Sequence, residues 1–316
     1  MNERRDATTG TAEPMAGDGR MDSATEATEV FLVHRNLLFT VAYEMLGSVA
    51  DAEDVLQETW LRWMKVDLEQ VHDQRAYLVR IATRRSLDRL RILKRRKEAY
   101  VGPWLPEPLL TAPDVAEDVE LAESVSMALM LVLETLSPTE RAVFVLREVF
   151  DVSYDEISAA VGKTPATVRQ IAHRARRHVD ARRPRETVSP SQTRAVLESF
   201  QRAVETRDLQ GLLDVLAPEV VLISDGGGVK QAAPQPIIGA GKVARMIVSG
   251  LGKAQVALAG EPTVVNGNPA LLLCVDGEID GVIAARVEDA RITGLYYVRN
   301  PQKLTRIGSE TPLTLK

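Results

Sequence analysis

Cysteine is almost missing from this sequence: its 316 residues include one, Cys274. A lone thiol excludes an intramolecular disulfide and any zinc site built from cysteines. Long apolar runs are missing too, since none approaches the roughly 20 residues that a membrane-spanning helix requires. The opening stretch MNERRDATTGTAEPMAGDGRMDSATE has no apolar core of the kind a secretory signal needs. Residues 1–26 therefore read as a disordered leader, and the chain as cytoplasmic. Histidine is scarce and one-sided: His34, His72, His173 and His178 all lie in the first 190 residues. Segment 98–140 has nine acids and not one Lys or Arg.

What is present is enough for real cores, with 45% hydrophobic and 26% charged residues, and the length suggests two or three domains. The net charge of −5 averages over strong segregation. RRSLDRLRILKRRK (84–97) holds eight Lys/Arg against one acid, and 163–185 holds eight more against one, with the acidic connector between them. Residues 191–316 balance at 13 of each sign. Two basic islands point to a polyanionic partner.

Helical periodicity runs through 27–97. Leu56, Trp60 and Trp63 recur at i, i+4 and i+7, with acids on the other side. Gly47-Ser48 separates this helix from the preceding one, and a third begins near Gln74 and runs into the first basic island. On it, Arg80, Arg84, Arg91 and Arg95 share an arc of about 60°, interrupted by Leu87. YVGPWLPEPLLTAPDVAEDVE then breaks regular structure with four prolines and a glycine. Leaving its Tyr100, Trp104, Leu105 and Leu109 in water is costly, so this linker is expected to lie along a groove of its own protein.

Residues 121–183 are helical again. Ser153 and Glu156 form a capping box, Gly162 closes the short helix, Thr164 caps the next and Pro165 takes its first position. Two short helices about a glycine turn are a helix-turn-helix. On the second helix Val168, Ile171, Ala172, Ala175 and Val179 share one side. Thr167, Arg169, Gln170, His173, Arg174 and Arg177 fill the other, the residue set that reads base edges and grips phosphates in a major groove.

After residue 190 the pattern becomes one helix, QTRAVLESFQRAVETRDLQGLLDVL, ending at Ala217-Pro218, and then five β-like runs: an α+β domain with helices on one face of a curved sheet. Within it LISDGGGVK places three glycines between Asp225 and Lys230. A phosphate-binding glycine loop needs a helix directly behind it, and Pro234 and Pro236 block one. The stretch reads instead as a loop that lets another backbone approach closely. Asp225, Asp276, Glu278 and Asp280 are potential bases without a histidine partner, which disfavours catalysis; neither a metal nor a cofactor is expected.

The helical blocks resemble bacterial sigma factors of the extracytoplasmic-function (ECF) group. DAEDVLQETWLRW looks like the helix such proteins place on the clamp of core RNA polymerase, DQRAYLVRIATRRSLDRLR like the part that captures the −10 element, and LSPTERAVFVLREVFDVSYDEISAAVGKTPATVRQIAHRARRHV like the −35 reader. GPWLPEP, DGGG and NPQKL further resemble the subgroup with a fused SnoaL-like domain, although Val229 precedes Lys230 where that subgroup has the base directly after the glycines, and Gln302 stands where it has aspartate.

The resemblance implies a multi-domain chain: two all-α sigma domains, the second a helix-turn-helix, then an α+β cone with a curved, mostly antiparallel sheet. The expected boundaries are 27–98, linker 99–120, 121–185, 190–300 and a tail, 301–316. It implies core-polymerase contacts at Asp51, Asp54, Gln57, Glu58 and Trp60, and −10 contacts at Tyr77, Arg80, Arg84 and Arg91, with His72 a further candidate. Contacts to the −35 element fall to Lys163, Thr167, Arg169, Gln170, His173, Arg174 and Arg177. Regulatory contacts within the chain are expected at Trp104, Leu105, Pro106 and Glu107; at Asp225, Gly226, Gly227, Gly228 and Lys230; and at Asn300, Pro301, Lys303 and Leu304. The partners implied are core RNA polymerase through its β′ clamp and promoter DNA, with no membrane and no separate anti-sigma factor. A stand-alone helix-turn-helix regulator with a ligand-sensing or vestigial enzyme domain is the alternative.

Overall fold

The computed structural model describes residues 18–112, 119–182, 188–254 and 258–315. Three helices open it: α1 (Asp18–Leu46), α2 (Val49–Trp63) and α3 (Gln74–Glu98). Gly47 at φ 67° ends α1, and the Ser48 hydroxyl accepts from the Asp51 amide to start α2. Fully buried Trp63 donates its indole N–H to the Ala27 carbonyl, which pins the end of α2 to the start of the packed part of α1. That anchor also explains a departure from the sequence reading. Residues 18–26 are helical rather than part of a leader, because extending a helix already nucleated by buried Ala27 and Phe31 costs little. The rest of the expected leader, 1–17, lies outside the described residues.

The second helical block contains α4 (Val119–Ser124), α5 (Met127–Glu134), α6 (Pro138–Phe144), a π-helical turn (Val145–Val149), α7 (Tyr154–Val161) and α8 (Pro165–Asp180). The Ser153–Glu156 capping box is formed, Gly162 is left-handed at φ 69°, and Thr164 caps α8 with Pro165 at its first position. Val168, Ile171, Ala172, Ala175 and Val179 face inward as the periodicity requires. Both helical blocks share one continuous apolar core that joins Trp63 and Leu78 to Phe144, Ile157 and Ile171.

The carboxy-terminal unit holds α9 (Pro190–Glu205), α10 (Leu209–Val215), β1 (Leu216–Asp225), β2 (Ile237–Ile238), α11 (Ala240–Ala254), β3 (Leu258–Val265), β4 (Asn268–Val275), β5 (Glu278–Glu288) and β6 (Arg291–Val298). The strand order is β2-β1-β6-β5-β4-β3, antiparallel throughout except for the β1–β6 pair. The single helix expected over 192–216 is two, broken at Arg207, which takes φ 55°, and Ala217-Pro218 lie in a strand. The α11 helix was not foreseen, although the prolines do keep 226–236 free of helix, as argued.

Side chains of the sheet divide by face. Leu222, Leu271, Leu273, Ile283 and Leu295 pack with Leu197, Phe200 and Val243 of the cone's own helices. Ala284, Tyr296 and Val298, with Ile223, pack instead on Leu105 and Met127 from the first half of the chain. The sheet is thus a wall shared by the two halves. Among the described residues no helix is long and apolar enough to cross a membrane.

Candidate nucleic-acid surfaces and an interdomain latch

On α8 Arg169, Gln170, His173, Arg174 and Arg177 are all exposed; Lys163 is exposed in the turn, and Thr167 is half-buried with its hydroxyl 2.9 Å from that of Thr164. The polar face therefore stands open. Arg176 is taken up by a two-pronged pair with Glu148, at 2.8 and 2.6 Å.

The α3 surface is different. Half-buried Tyr77 leans on Trp63 with ring centroids 5.8 Å apart, and the Arg80 guanidinium sits 4.5 Å from the Tyr77 ring. Arg91 is exposed and pairs with Asp88, and His72 is exposed. Arg84 donates to the Ala159 carbonyl at 2.7 Å and to that of Ala160 at 3.3 Å, at the C-terminal end of α7 where unpaired carbonyls attract a cation. A residue expected on the −10 element is thus bound to the first helix of the helix-turn-helix.

The acidic face of α2 is partly spent inside the fold. Asp51 is buried and accepts from Arg89 Nε at 2.6 Å, Asp54 pairs with the same guanidinium, and Glu58 lies 3.7 Å from Arg85. Asp54, Gln57 and Glu58 remain exposed, and Trp60 is half-buried. Arg89 ties α2 to α3, so Asp51 has a structural role that spacing alone did not reveal.

The stretches WLPEP, DGGG and NPQKL converge. Asp225, wholly buried at the end of β1, accepts from the Tyr100 hydroxyl at 2.6 Å, the Leu105 amide at 2.9 Å, Lys303 Nζ at 2.7 Å and the Gly227 amide at 3.0 Å. Its backbone carbonyl accepts from the amides of Arg299 and Asn300. Lys303 also donates to the Leu105 carbonyl at 2.5 Å and lies 4.2 Å from the Trp104 ring centroid. Asn300 Nδ2 donates to the Tyr100 hydroxyl at 2.7 Å. Burial draws the Lys303 ammonium below its ordinary range, opposed by Asp225. Burial also raises the Tyr100 phenol, helped by its bond to Asp225, so it stays a donor.

The glycines make the approach possible. A Cβ on Gly227 would lie 2.3 Å from Asn300 Nδ2, and one on Gly226 would lie 2.0 Å from the Lys230 carbonyl oxygen. Lys230 turns away from Asp225 to pair with Asp280 at 2.9 Å. Pro301 and Leu304 flank the clasp in a short 3-10 turn, Leu304 packing beside Tyr296 and Val298.

The linker runs on along the first helical block. Trp104 fits against Gly47, where any Cβ would lie 2.9 Å from the indole, and Lys97 Nζ is 3.3 Å from its ring centroid. Pro106 is buried. The Glu107 carboxylate accepts from the Val49 amide at 2.8 Å, at the start of α2; burial raises its pKa against these amide bonds. Its carbonyl accepts from Tyr43 at 2.7 Å, and Tyr43 in turn accepts from Asn266 Nδ2 at 2.7 Å. Asn266 also clasps both backbone groups of Leu109. The tail continues the strapping: Thr311 donates its amide to the Leu110 carbonyl and Thr314 to Thr40, and Leu313 is buried in the first core.

The reading from sequence missed Asn266, Tyr43, Arg299 and Arg141. An Asn-Gly turn at 266–267 looks like an ordinary hairpin, and only the fold shows its amide buried between halves. Arg141, buried, donates twice to the Glu44 carbonyl and pairs with Glu134, joining α6 to α1. Lys97 pairs with Glu134 at 2.5 Å; desolvation brings it to about 8.

Comparison with known proteins agrees with this layout. The family model described as Sigma-70 region 2 matches residues 30–96, and that described as Sigma-70, region 4 matches residues 126–179. The chain is 34% identical over 284 residues to the ECF RNA polymerase sigma factor SigJ of Mycobacterium tuberculosis, covering 86% of this chain and 91% of that protein. It is 32% identical over 280 residues to the probable ECF RNA polymerase sigma factor SigI of the same species, covering 88% and 94%. The crystal structure of M. tuberculosis SigJ superposes with a TM-score of 0.71 at 33% identity, over 90% of this chain and all of that one.

Proposed function

This chain belongs to the ECF RNA polymerase sigma factors, which direct core polymerase to promoters, and from that premise we propose that its carboxy-terminal cone acts as a built-in brake. The observation that carries the reading is the occupation of Arg84 by the carbonyls of α7 while Asp225 clamps the linker between the blocks. A −10 surface that grips the −35 reader cannot hold promoter DNA at both elements. Opening the clasp frees Arg84 to join Arg80 and Arg91 on the −10 strand and leaves α8 to read the −35 element.

In the open form Asp54, Gln57, Glu58 and Trp60 contact the β′ clamp, whose docking is the natural source of opening energy. Asp51 supports that face from beneath through Arg89. Lys163 and Arg177 hold phosphates, while Arg169, Gln170, His173 and Arg174 read bases. The cone does in cis what an anti-sigma factor does in trans, so no separate one is needed, and it works as a regulator in the cytoplasm rather than as an enzyme.

The test is abortive and run-off transcription with core polymerase on a cognate promoter, comparing the full chain with Lys303→Ala and Asp225→Asn. Both remove charge-assisted bonds from the clasp, each worth about 1.5–3 kcal/mol. Basal initiation is expected to rise about tenfold or more, and the melting temperature to fall. Unchanged or lower initiation by folded variants refutes the brake.

A further inference from the structure

The wall between the halves has a second side. Along β6 and just past its end the residues alternate: Tyr296 and Val298 face the first half of the chain, whereas Leu295, Tyr297 and the following Arg299 line a cavity of about 750 Å3 inside the cone. On β1, Ser224 faces that cavity and Asp225 the clasp. The volume lies within the range of ligand pockets for small organic molecules. Its body is apolar, formed by Phe200, Leu222, Met246, Leu271 and Ile283 among others.

One end is charged by design of the backbone. The β4–β5 register shifts so that Leu273 pairs Gly281 and Cys274 pairs Ile279, leaving Asp280 as an extra residue. This bulge turns Asp280 onto the cavity side with Ile283, instead of the Val282 and Ala284 side. Gly281 permits it: a Cβ there would lie 2.5 Å from the Val298 carbonyl oxygen and 2.7 Å from the Tyr297 ring. Asp280 accepts from Arg299 twice at 2.9 Å, from Lys230 at 2.9 Å and from Tyr297 at 2.5 Å. Burial opposes its charge, yet Arg299, Tyr297 and Lys230 hold it well below the usual carboxylate range. Asp280 is thus matched by two cations, of which Arg299 lines the cavity; the cavity's other carboxylate, exposed Glu205 on α9, accepts from Gln201. A guanidinium has five N–H donors to share.

We propose that this cavity binds a medium-chain aliphatic carboxylate, tail among the apolar residues and head on Arg299, and that its occupation loosens the Asp225 clasp. The head draws hydrogen bonds from a guanidinium now engaged with Asp280 and the Gln231 carbonyl. The amides of Arg299 and Asn300 hold the carbonyl of Asp225, so a shift of Arg299 is felt directly at the clasp. The coupling rests on the brake reading; the binding does not.

Calorimetric titration of the full chain with octanoate, decanoate and dodecanoate, all below micelle formation, tests the binding. One saturable site is expected, tightening about fourfold per methylene as about 0.8 kcal/mol per buried CH2 requires. Dodecanoate should outbind dodecanol about tenfold or more, a preference lost in Arg299→Gln. Ala233→Phe, at the partly exposed rim and still able to donate its amide to Ser224, should abolish binding of the whole series while leaving the melting temperature near that of the parent. No saturable site, or equal affinity in Ala233→Phe, overturns the proposal. Hydrogen exchange at the Leu105 amide should accelerate several-fold with dodecanoate. Binding that leaves that amide unchanged overturns the coupling, and the brake stands or falls separately on transcription by the Lys303 and Asp225 variants.

Discussion

The four functional groups on Asp225 make it the residue on which the two halves agree, and three glycines stand beside it for steric reasons. Gly227 is the sharpest case, with φ at 61° and Asn300 occupying the place of a side chain. Gly227→Ala is expected to cost about 1–3 kcal/mol of stability, because it adds left-handed strain to a clash with the Asn300 amide. Chemical denaturation measures it, and loss of the Asn300–Tyr100 bond should appear as altered exchange near residue 100. At this scale the sequence was legible where a pattern is local. The capping box at Ser153, the turn at Gly162 and the close approach at DGGG could all be read from neighbours in the chain. Asn266 and Arg141 could not, because each acts through a partner more than 90 residues away. The resemblance places Asp51 among the acids that contact polymerase; Arg89, 38 residues on, draws it inward.

Among the elements, the helix-turn-helix has both helices capped and the polar face of α8 open. Arg174→Ala is therefore expected to leave the fold intact and to reduce discrimination between cognate and non-cognate promoters by about 1–3 kcal/mol, or roughly five- to 150-fold. Competitive transcription on the two promoters measures it, and equal losses on both would assign Arg174 to phosphate instead. The strands β3 to β6 were legible as β-rich runs between turn residues. Two elements were not. The break between α9 and α10 rests on a left-handed arginine, which carries no sequence signal, and α11 begins only after the prolines that argued against a phosphate loop. The linker was correctly expected to lie in a groove, since its aromatics could not stay in water, but which groove depended on Gly47 and on the Asn266 turn.

The molecule as a whole is closed by a junction as well as a clasp. Glu44 on α1 is buried, accepts from Ser124 at 2.8 Å, and has one carboxylate oxygen without a partner. Burial raises its pKa to about 8, against the pull of Ser124 and Arg141. The folded state therefore holds a proton that the unfolded chain releases near 4.5, and stability rises where that proton is bound. Its contribution is complete below about pH 4.5 and is lost as the pH climbs through about 8. Glu44→Gln should flatten this part of the stability–pH profile and leave the protein more stable than the parent above pH 8; equilibrium denaturation across pH 5–9 measures both.

The order in which the chain is made gives the clasp a further meaning. Lys303 lies 123 residues beyond Asp180, the end of the −35 reader. At about 5–20 residues per second, the two sigma blocks leave the ribosome roughly 6–25 seconds before the lysine that fastens them. On the brake reading, every newborn copy thus passes through an interval in which it is a sigma factor whose clasp is not yet made. A core polymerase waiting nearby can capture it then, and the ratio of translation speed to polymerase encounter becomes a setting of the switch.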